Sequence, residues 1–346
     1  MEKFRFQRVA VTGGAGFIGS HLVDHLVSLG CEVTVIDNFS SGDRKNLEQH
    51  KNNPKVRVFE GDVRNLKLVE KAFTGIDLVF HLATHCVRLS LTDPLTNHDV
   101  NATGTLNALI AASALGVSRF VYCSSSEVYG NAAVASGLTL LNEDAFKRPS
   151  TVYGASKLVG EQYTRAFFET KGLSSMTVRP FNAYGERSHL LGAYGEVIPR
   201  FAVLIQSGRS PVIFGDGTQT RDFTYVKDIA KGLVLASQTD SLVGESVNVA
   251  CGKEVSINEL GETLCQVLKL SFQPRYTKER PGDILRLPAD NALARHLWPD
   301  FSFTPLSEGL SRYVNWINSG RPDYQALANL LFERNWDLRE TTKIAA

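Results

Sequence analysis

A chain of 346 residues that is 43 % hydrophobic and 21 % charged can bury a large core in two lobes and is too apolar for intrinsic disorder. Its 37 Lys and Arg against 36 Asp and Glu leave a net charge of +1, which gives no electrostatic case for nucleic acid or an anionic membrane as partner. MEKFRFQR runs into a strand pattern without a signal-like apolar stretch, no run of about 18 apolar residues follows, and the five cysteines form no CxxC; these features predict a cytoplasmic protein with reduced core thiols and no metal site.

The first predicted strand, RVAVTG, leads into glycines at 13, 14, 16 and 19, and then into a helix with apolar residues at Ile18, Leu22, Leu26 and Leu29. Glycines between a strand and a helix let the backbone approach a pyrophosphate, whose charge sits on free N–H groups at the helix start. The second strand, EVTVID, ends at Asp37, where a carboxylate can accept both adenosine ribose hydroxyls and repel a 2′-phosphate; this favours NAD over NADP. After the third strand, VRVFEGD, Asp62 reads equally well as a neighbour of the adenine amine or as a helix N-cap.

The fourth and fifth strands, LVFHLA and RFVYCSS, precede SSSEVYG, where Glu127 stands beside three serines. The helical segment TVYGASKLVGEQY then places Tyr153 and Lys157 four apart, on one face. An ammonium there is expected to lower the phenol pKa and make Tyr153 a usable base, with a hydroxyl from the fifth strand end holding the substrate oxygen. The sixth strand is MTVRPFN.

Strand and helix alternation of this kind predicts an α/β Rossmann domain, a doubly wound parallel sheet over residues 1–182. DIAKGLVLASQ and SVNVACG, within about 224–250, are expected to rejoin it. Residues 183–223 and 251–346, looser and richer in glycine and proline around helices such as SINELGETLCQVLK, read as a smaller C-terminal α/β substrate lobe.

With TGGAGFIG, GDV, HLA, VNATGT, SSSEVYG, YGASK, RPFNAYG, TRDFTYV and RPGD all in place, the chain resembles the extended short-chain dehydrogenase/reductases of the nucleotide-sugar epimerase/dehydratase group over nearly its whole length. The resemblance implies NAD bound by Gly13, Gly16, Phe17, Ile18, Gly19, Asp37, Asn38, Asp62, Val63, Leu82, Ala83 and Asn101, with Tyr153 and Lys157 at its reactive end. Ser125 matches the catalytic serine, Tyr153 the base and Lys157 its partner in oxidising a sugar hydroxyl at C4 to a ketone. A nucleotide sugar, with a UDP-sugar favoured, is implied in the cleft: Arg221 and Arg280 at the diphosphate, Asn182 at the phosphate and sugar, Ser126 beside the sugar, Val197 and Phe214 around the base, Asp283 on the ribose or diphosphate side, and Leu287 limiting the C2 substituent. A homodimer through a four-helix bundle that includes the Tyr153 helix is also implied.

Glu127 decides between reactions. A 4-epimerase needs no acid or base beyond Tyr153, whereas a 4,6- or 5,6-dehydratase uses Glu127 at C5 and C6, and a UDP-glucuronate decarboxylase carries Ser-Glu here. Ser126 stands where 4,6-dehydratases have aspartate, and Tyr-Gly-Ala-Ser-Lys is not the decarboxylase form, so the 4-epimerase is favoured. The structural alternative for Glu127 is a carboxylate bonded to turn N–H groups. An NAD-binding sensor would not need Ser125, Tyr153 and Lys157 together. His85, in THCVRLS, is either an extra acid or base at the sugar or a structural histidine.

Overall fold

The computed structural model describes residues 4–280 and 283–334. Pro281 and Gly282 of the RPGD motif, and the tail from 335 onward, lie outside the described residues.

Seven strands form one parallel sheet: β1 (Arg8–Thr12), β2 (Glu32–Asp37), β3 (Val56–Glu60), β4 (Leu78–His81), β5 (Arg119–Cys123), β6 (Ser175–Pro180) and β7 (Ser246–Val249). Their order is β7-β6-β5-β4-β1-β2-β3. The β4, β5 and β6 residues are buried on both faces, which is why these strands read as continuous apolar runs rather than alternating ones. The edge strand β3 is mostly exposed or half-buried.

Helices cover both faces. The first is α1 (Phe17–Ser28), followed by α2 (Leu66–Phe73), α3 (Gly104–Ala114), α4 (Val152–Lys171), α5 (Val197–Gln206), α6 (Val226–Gln238), α7 (Ile257–Leu268) and α8 (Leu306–Ser319). Leu22 and Leu26 of α1 share a core with Ile229 and Leu233 of α6 and with Val9 and Val33 of the sheet. On the other face Phe73, Leu109 and Phe120 form a separate core. Leu29 departs from the predicted helical stripe: the helix ends at Ser28, and Leu29 caps it with 41 % of its surface exposed.

A third core lies in the second half of the chain, where Ile198 and Phe201 of α5 meet Leu260 and Leu264 of α7 and Leu310 of α8. Helix α7 starts on a capping box between Ser256 and Glu259, a device that satisfies two otherwise orphaned N–H donors. Three strand pairs tie this region together: Ala183–Tyr184 with Thr224–Tyr225, Val212–Phe214 with Arg275–Thr277, and Thr220–Asp222 with Glu254–Ser256. Strand order reverses where β1 sits between β2 and β4, the position at which open α/β sheets leave a crevice at their carboxyl ends.

Candidate active site

A cavity of about 440 Å³ opens at that crevice and reaches across to α5 and the 212–214 strand. On the sheet side, Gly13 takes a positive φ of 69°, and a Cβ there would lie 2.8 Å from the Ala83 backbone nitrogen. A Cβ on Gly19 would collide with the Gly13 carbonyl oxygen. The loop therefore packs backbone against backbone, and α1 starts at Gly16 with no side-chain cap and no acidic residue in its first turn. Its free N–H groups face the wall formed by Gly13, Gly16, Phe17, Ile18 and Gly19, a cradle that fits the pyrophosphate of NAD.

Asp37 ends β2 and is 7 % exposed. Its carboxylate accepts from Ala15 N at 2.9 Å and Phe39 N at 2.8 Å, which fixes the loop and leaves lone pairs for ribose hydroxyls. Burial pushes its pKa up, against those two N–H bonds. Asp62 accepts from Asn38 Nδ2 at 2.9 Å and from Arg64 Nη2 at 2.8 Å, and the Arg64 pairing holds it at about 2. The N-cap of α2 is Asn65, so the cap reading of Asp62 falls. Val63, Leu82 and Ala83 line the same wall.

Asn101 does not line it. It is 1 % exposed in the turn Asp99–Thr103, where its Oδ1 accepts from His85 N at 2.8 Å and Thr84 Oγ1 at 2.9 Å, and its Nδ2 donates to Ser156 Oγ at 3.2 Å. Asn101 thus braces the loop after β4 against α4 from behind the wall. The expectation of a direct cofactor contact is corrected.

At the end of β5 the serines turn into a short 3₁₀ segment. Ser125 caps it, with Oγ accepting from Glu127 N at 3.2 Å, and Ser125 and Tyr153 both line the cavity. Thr151 caps α4 by accepting from Gly154 N at 3.1 Å, which sets Tyr153 in the first turn. Burial pushes the Tyr153 phenol up, and the Ser125 hydroxyl lowers it.

Lys157 behaves differently from the expectation. Its Nζ donates to Cys123 O at 2.7 Å and stands 5.0 Å from the Tyr122 ring centroid. Helical spacing brings it to the face of Tyr153, yet its ammonium is spent on the strand end, and burial lowers its pKa to about 8. In this arrangement the Ser125 hydroxyl favours the phenolate.

Glu127 lines the cavity. Burial raises its pKa, with Arg221, Arg280 and Arg88 opposing. Among the described residues no turn N–H donates to its carboxylate, because Ser125 Oγ takes the local N–H; the purely structural reading of Glu127 is not the one found. His85 also lines the cavity, and burial lowers its imidazole pKa.

On the opposite side, Arg221 Nη2 donates to Asp283 Oδ1 at 2.7 Å and Nη1 to Ile284 O at 2.6 Å, while Arg280 Nη2 reaches the same Asp283 oxygen at 2.6 Å. Asp283 thus holds two guanidinium groups side by side and leaves one net positive charge. The Asn182 Oδ1 is buried without a partner, a polar atom that fits a ligand donor. Ser126, Val197 and Phe214 line the cavity as well. Leu287 does not: it is fully buried beside Val128, Tyr129, Leu141 and Phe181. Its expected role in limiting the C2 substituent is corrected, because a side chain inside that core cannot touch a ligand.

Two lining arginines escaped the sequence reading. Arg88, in the helix Val87–Ser90, donates to the Ala193 carbonyl and to Tyr194 O at 2.7 Å. Arg200 of α5 is lowered to about 10 by burial. The one signal was a lone basic residue in the otherwise uncharged stretch THCVRLS. Among the described residues no His, Cys, Asp and Glu cluster is placed to hold a metal ion, and no helix is long and apolar enough to cross a membrane.

The model of the NAD dependent epimerase/dehydratase family matches residues 9–250. A UDP-glucose 4-epimerase of Mycolicibacterium smegmatis is 32 % identical over 320 residues, 90 % of this chain and 99 % of that protein. The structure of a UDP-N-acetylglucosamine 4-epimerase from Methanobrevibacter ruminantium, in complex with UDP-N-acetylmuramic acid, superposes with a TM-score of 0.83 at 37 % identity, covering 91 % of this chain and 99 % of that one. A dTDP-glucose 4,6-dehydratase from Streptomyces venezuelae with NAD bound gives 0.84 at 29 % identity, covering 93 % and 100 %. The fold, the cradle after β1 and these likenesses agree: the chain belongs to the NAD dependent epimerase/dehydratase family and uses NAD.

Proposed function

We propose that the protein is a UDP-sugar 4-epimerase. The observation that carries this reading is the Ser125, Tyr153 and Lys157 group at the cavity wall, with Ser126 rather than a second acid next to Glu127. C4 epimerisation needs one proton acceptor, and that group supplies it. Bound NAD supplies a hydride acceptor that returns the hydride, so the sugar passes through a 4-keto form.

Ser125 and Tyr153 hold the C4 oxygen between their hydroxyls, and Tyr153 takes the proton and gives it back. Lys157 keeps the strand end in place and adds positive charge nearby. Arg221 and Arg280, paired on Asp283, hold the diphosphate as a rigid fork, and Asn182 Oδ1 accepts from the sugar region. Uracil is the favoured base because the epimerases named above act on UDP-sugars. The five unpaired thiols suit a cytoplasmic setting.

The buried Glu127 carboxylate supports a second reading, a dehydratase or decarboxylase. Proton NMR in D₂O with NAD and UDP-glucose, UDP-N-acetylglucosamine or UDP-glucuronic acid separates the two. A C4 epimer that keeps its C5 proton is expected; loss of the C5 proton with a new keto or alkene product would overturn the epimerase.

A homodimer through α3 and α4 belongs to the same proposal, supported by Ile110 and Val152, which stay 36 % and 39 % exposed on those helices. Light scattering is expected to give twice the chain mass at micromolar concentration, and a monomer would reject the dimer.

A further inference from the structure

Tyr153, Lys157 and Glu161 follow one another at single-turn intervals on α4, so they share the face turned to the sheet. Glu161 is 5 % exposed and does not line the cavity. Its Oε1 accepts from Ser124 Oγ at 2.6 Å and from Arg179 Nε at 2.9 Å, and its Oε2 accepts from Arg179 Nη2 at 2.8 Å. Arg179, on β6, is 3 % exposed and also donates to Tyr129 OH at 2.9 Å and Glu143 O at 3.0 Å. A buried ion pair of this kind is often no more stabilising than apolar residues of the same volume, so stability alone does not account for it.

Its location does. Ser124 lies between Cys123, whose carbonyl holds Lys157 Nζ, and Ser125, which lines the cavity together with Tyr153. Ser124 N is fixed in the sheet by Val178 O at 2.8 Å, while its hydroxyl reaches sideways to Glu161. The side chain of Glu161 therefore ties α4 to the stretch 123–125 one turn beyond Lys157.

We propose that Glu161, clamped by Arg179, is a positioning residue for the epimerase reaction: through Ser124 it holds the 123–125 strand end that aligns Ser125, Tyr153 and Lys157, and it stands one turn from Lys157 on the same face of α4. The inference rests on the epimerase reading above. The groups set near Lys157 are Tyr122 and Cys123 from β5, His81 from β4 and Glu161 from α4, the last already paired with Arg179 of β6. His81 stays neutral inside the sheet, where burial lowers it to about 3.

The test uses the full-length NAD-bound protein with Ser124→Ala, Glu161→Gln and the double variant. Ser124→Ala removes one hydroxyl and leaves the ion pair; it is expected to lower kcat about tenfold while KM for the UDP-sugar stays within about twofold. Glu161→Gln removes a negative charge one turn from Lys157, so the ammonium is lost at lower pH; the alkaline limb of the kcat profile is expected to move down by about one unit. The double variant is expected to be no slower than Glu161→Gln, because both act through one contact. Wild-type kcat in Ser124→Ala, or an unshifted limb in Glu161→Gln, would overturn the proposal. Where Glu161→Gln does not fold, Glu161→Gln with Arg179→Gln removes the pair together and leaves the local charge balance unchanged; it is expected to lower kcat as Ser124→Ala does, and wild-type kcat in it would overturn the proposal.

The Lys157 Nζ titration, followed by NMR in lysine-labelled protein and identified by its loss in Lys157→Arg, needs no turnover. If the wild type converts no nucleotide sugar, the epimerase reading falls, and this titration still decides whether Glu161 governs Lys157.

Discussion

Tyr153 sits where burial and a single hydroxyl pull in opposite directions. Burial disfavours the phenolate and Ser125 favours it, so Ser125→Ala is expected to raise the phenol pKa further. The acid limb of the rate profile should then move to higher pH, with kcat at neutral pH down by roughly 10²-fold. Tyr153→Phe removes the proton acceptor and is expected to abolish turnover while a fluorescence titration still shows NAD binding. Tighter binding of NADP than NAD would contradict the role given to Asp37, whose buried carboxylate faces the ribose side of the cradle. These residues were legible because their spacing is local: glycines after a strand, an acid at the next strand end, a tyrosine and lysine one turn apart. What spacing cannot give is the direction of a flexible side chain. Lys157 shares a face with Tyr153 yet turns to the Cys123 carbonyl, Asn101 works from behind the wall, and Leu287 points into a core. Arg88 was missed because its role depends on a loop about a hundred residues away, at Ala193 and Tyr194.

Helix α4 must lie close on β5 for the site to form. Gly160 allows this, since a Cβ there would collide with the Tyr122 hydroxyl. Gly160→Ala is therefore expected to destabilise the fold by about 1–3 kcal/mol through overpacking, and to slow turnover more than it weakens NAD binding; urea denaturation and a nucleotide titration check the two halves. At the start of α7, Ser256→Ala breaks the capping box and is expected to cost about 1 kcal/mol of stability, read by urea denaturation. The seven sheet strands were readable as apolar runs between helices, including β7. The strands of two or three residues in the second half were not. Their existence depends on partners far away in the chain, such as Glu254 opposite Asp222, and no periodicity survives in so short a segment.

Across the whole molecule, two buried histidines link stability to pH. Burial holds His21 at about 4 and His81 at about 3, both below the ordinary histidine value. Each contributes stability that is present above about pH 6.5 and is lost as pH falls toward its folded pKa, at up to about 1.4 kcal/mol per pH unit per group. Chemical denaturation between pH 6.5 and 4.5 is expected to show a flatter loss of stability in His81→Gln than in the wild type. An equal slope in the two proteins would remove His81 from the account.

The strand that completes the sheet, β7, comes from residue 246 onward, and the helix that covers α1 comes from 226 onward. A gene fragment encoding only the first 182 residues would leave β6 as a bare apolar edge and one side of α1 wet. Such a fragment is expected to aggregate rather than fold. The first 182 residues therefore do not make a self-sufficient cassette, because the finished sheet and the cover of α1 both draw on residues beyond 225.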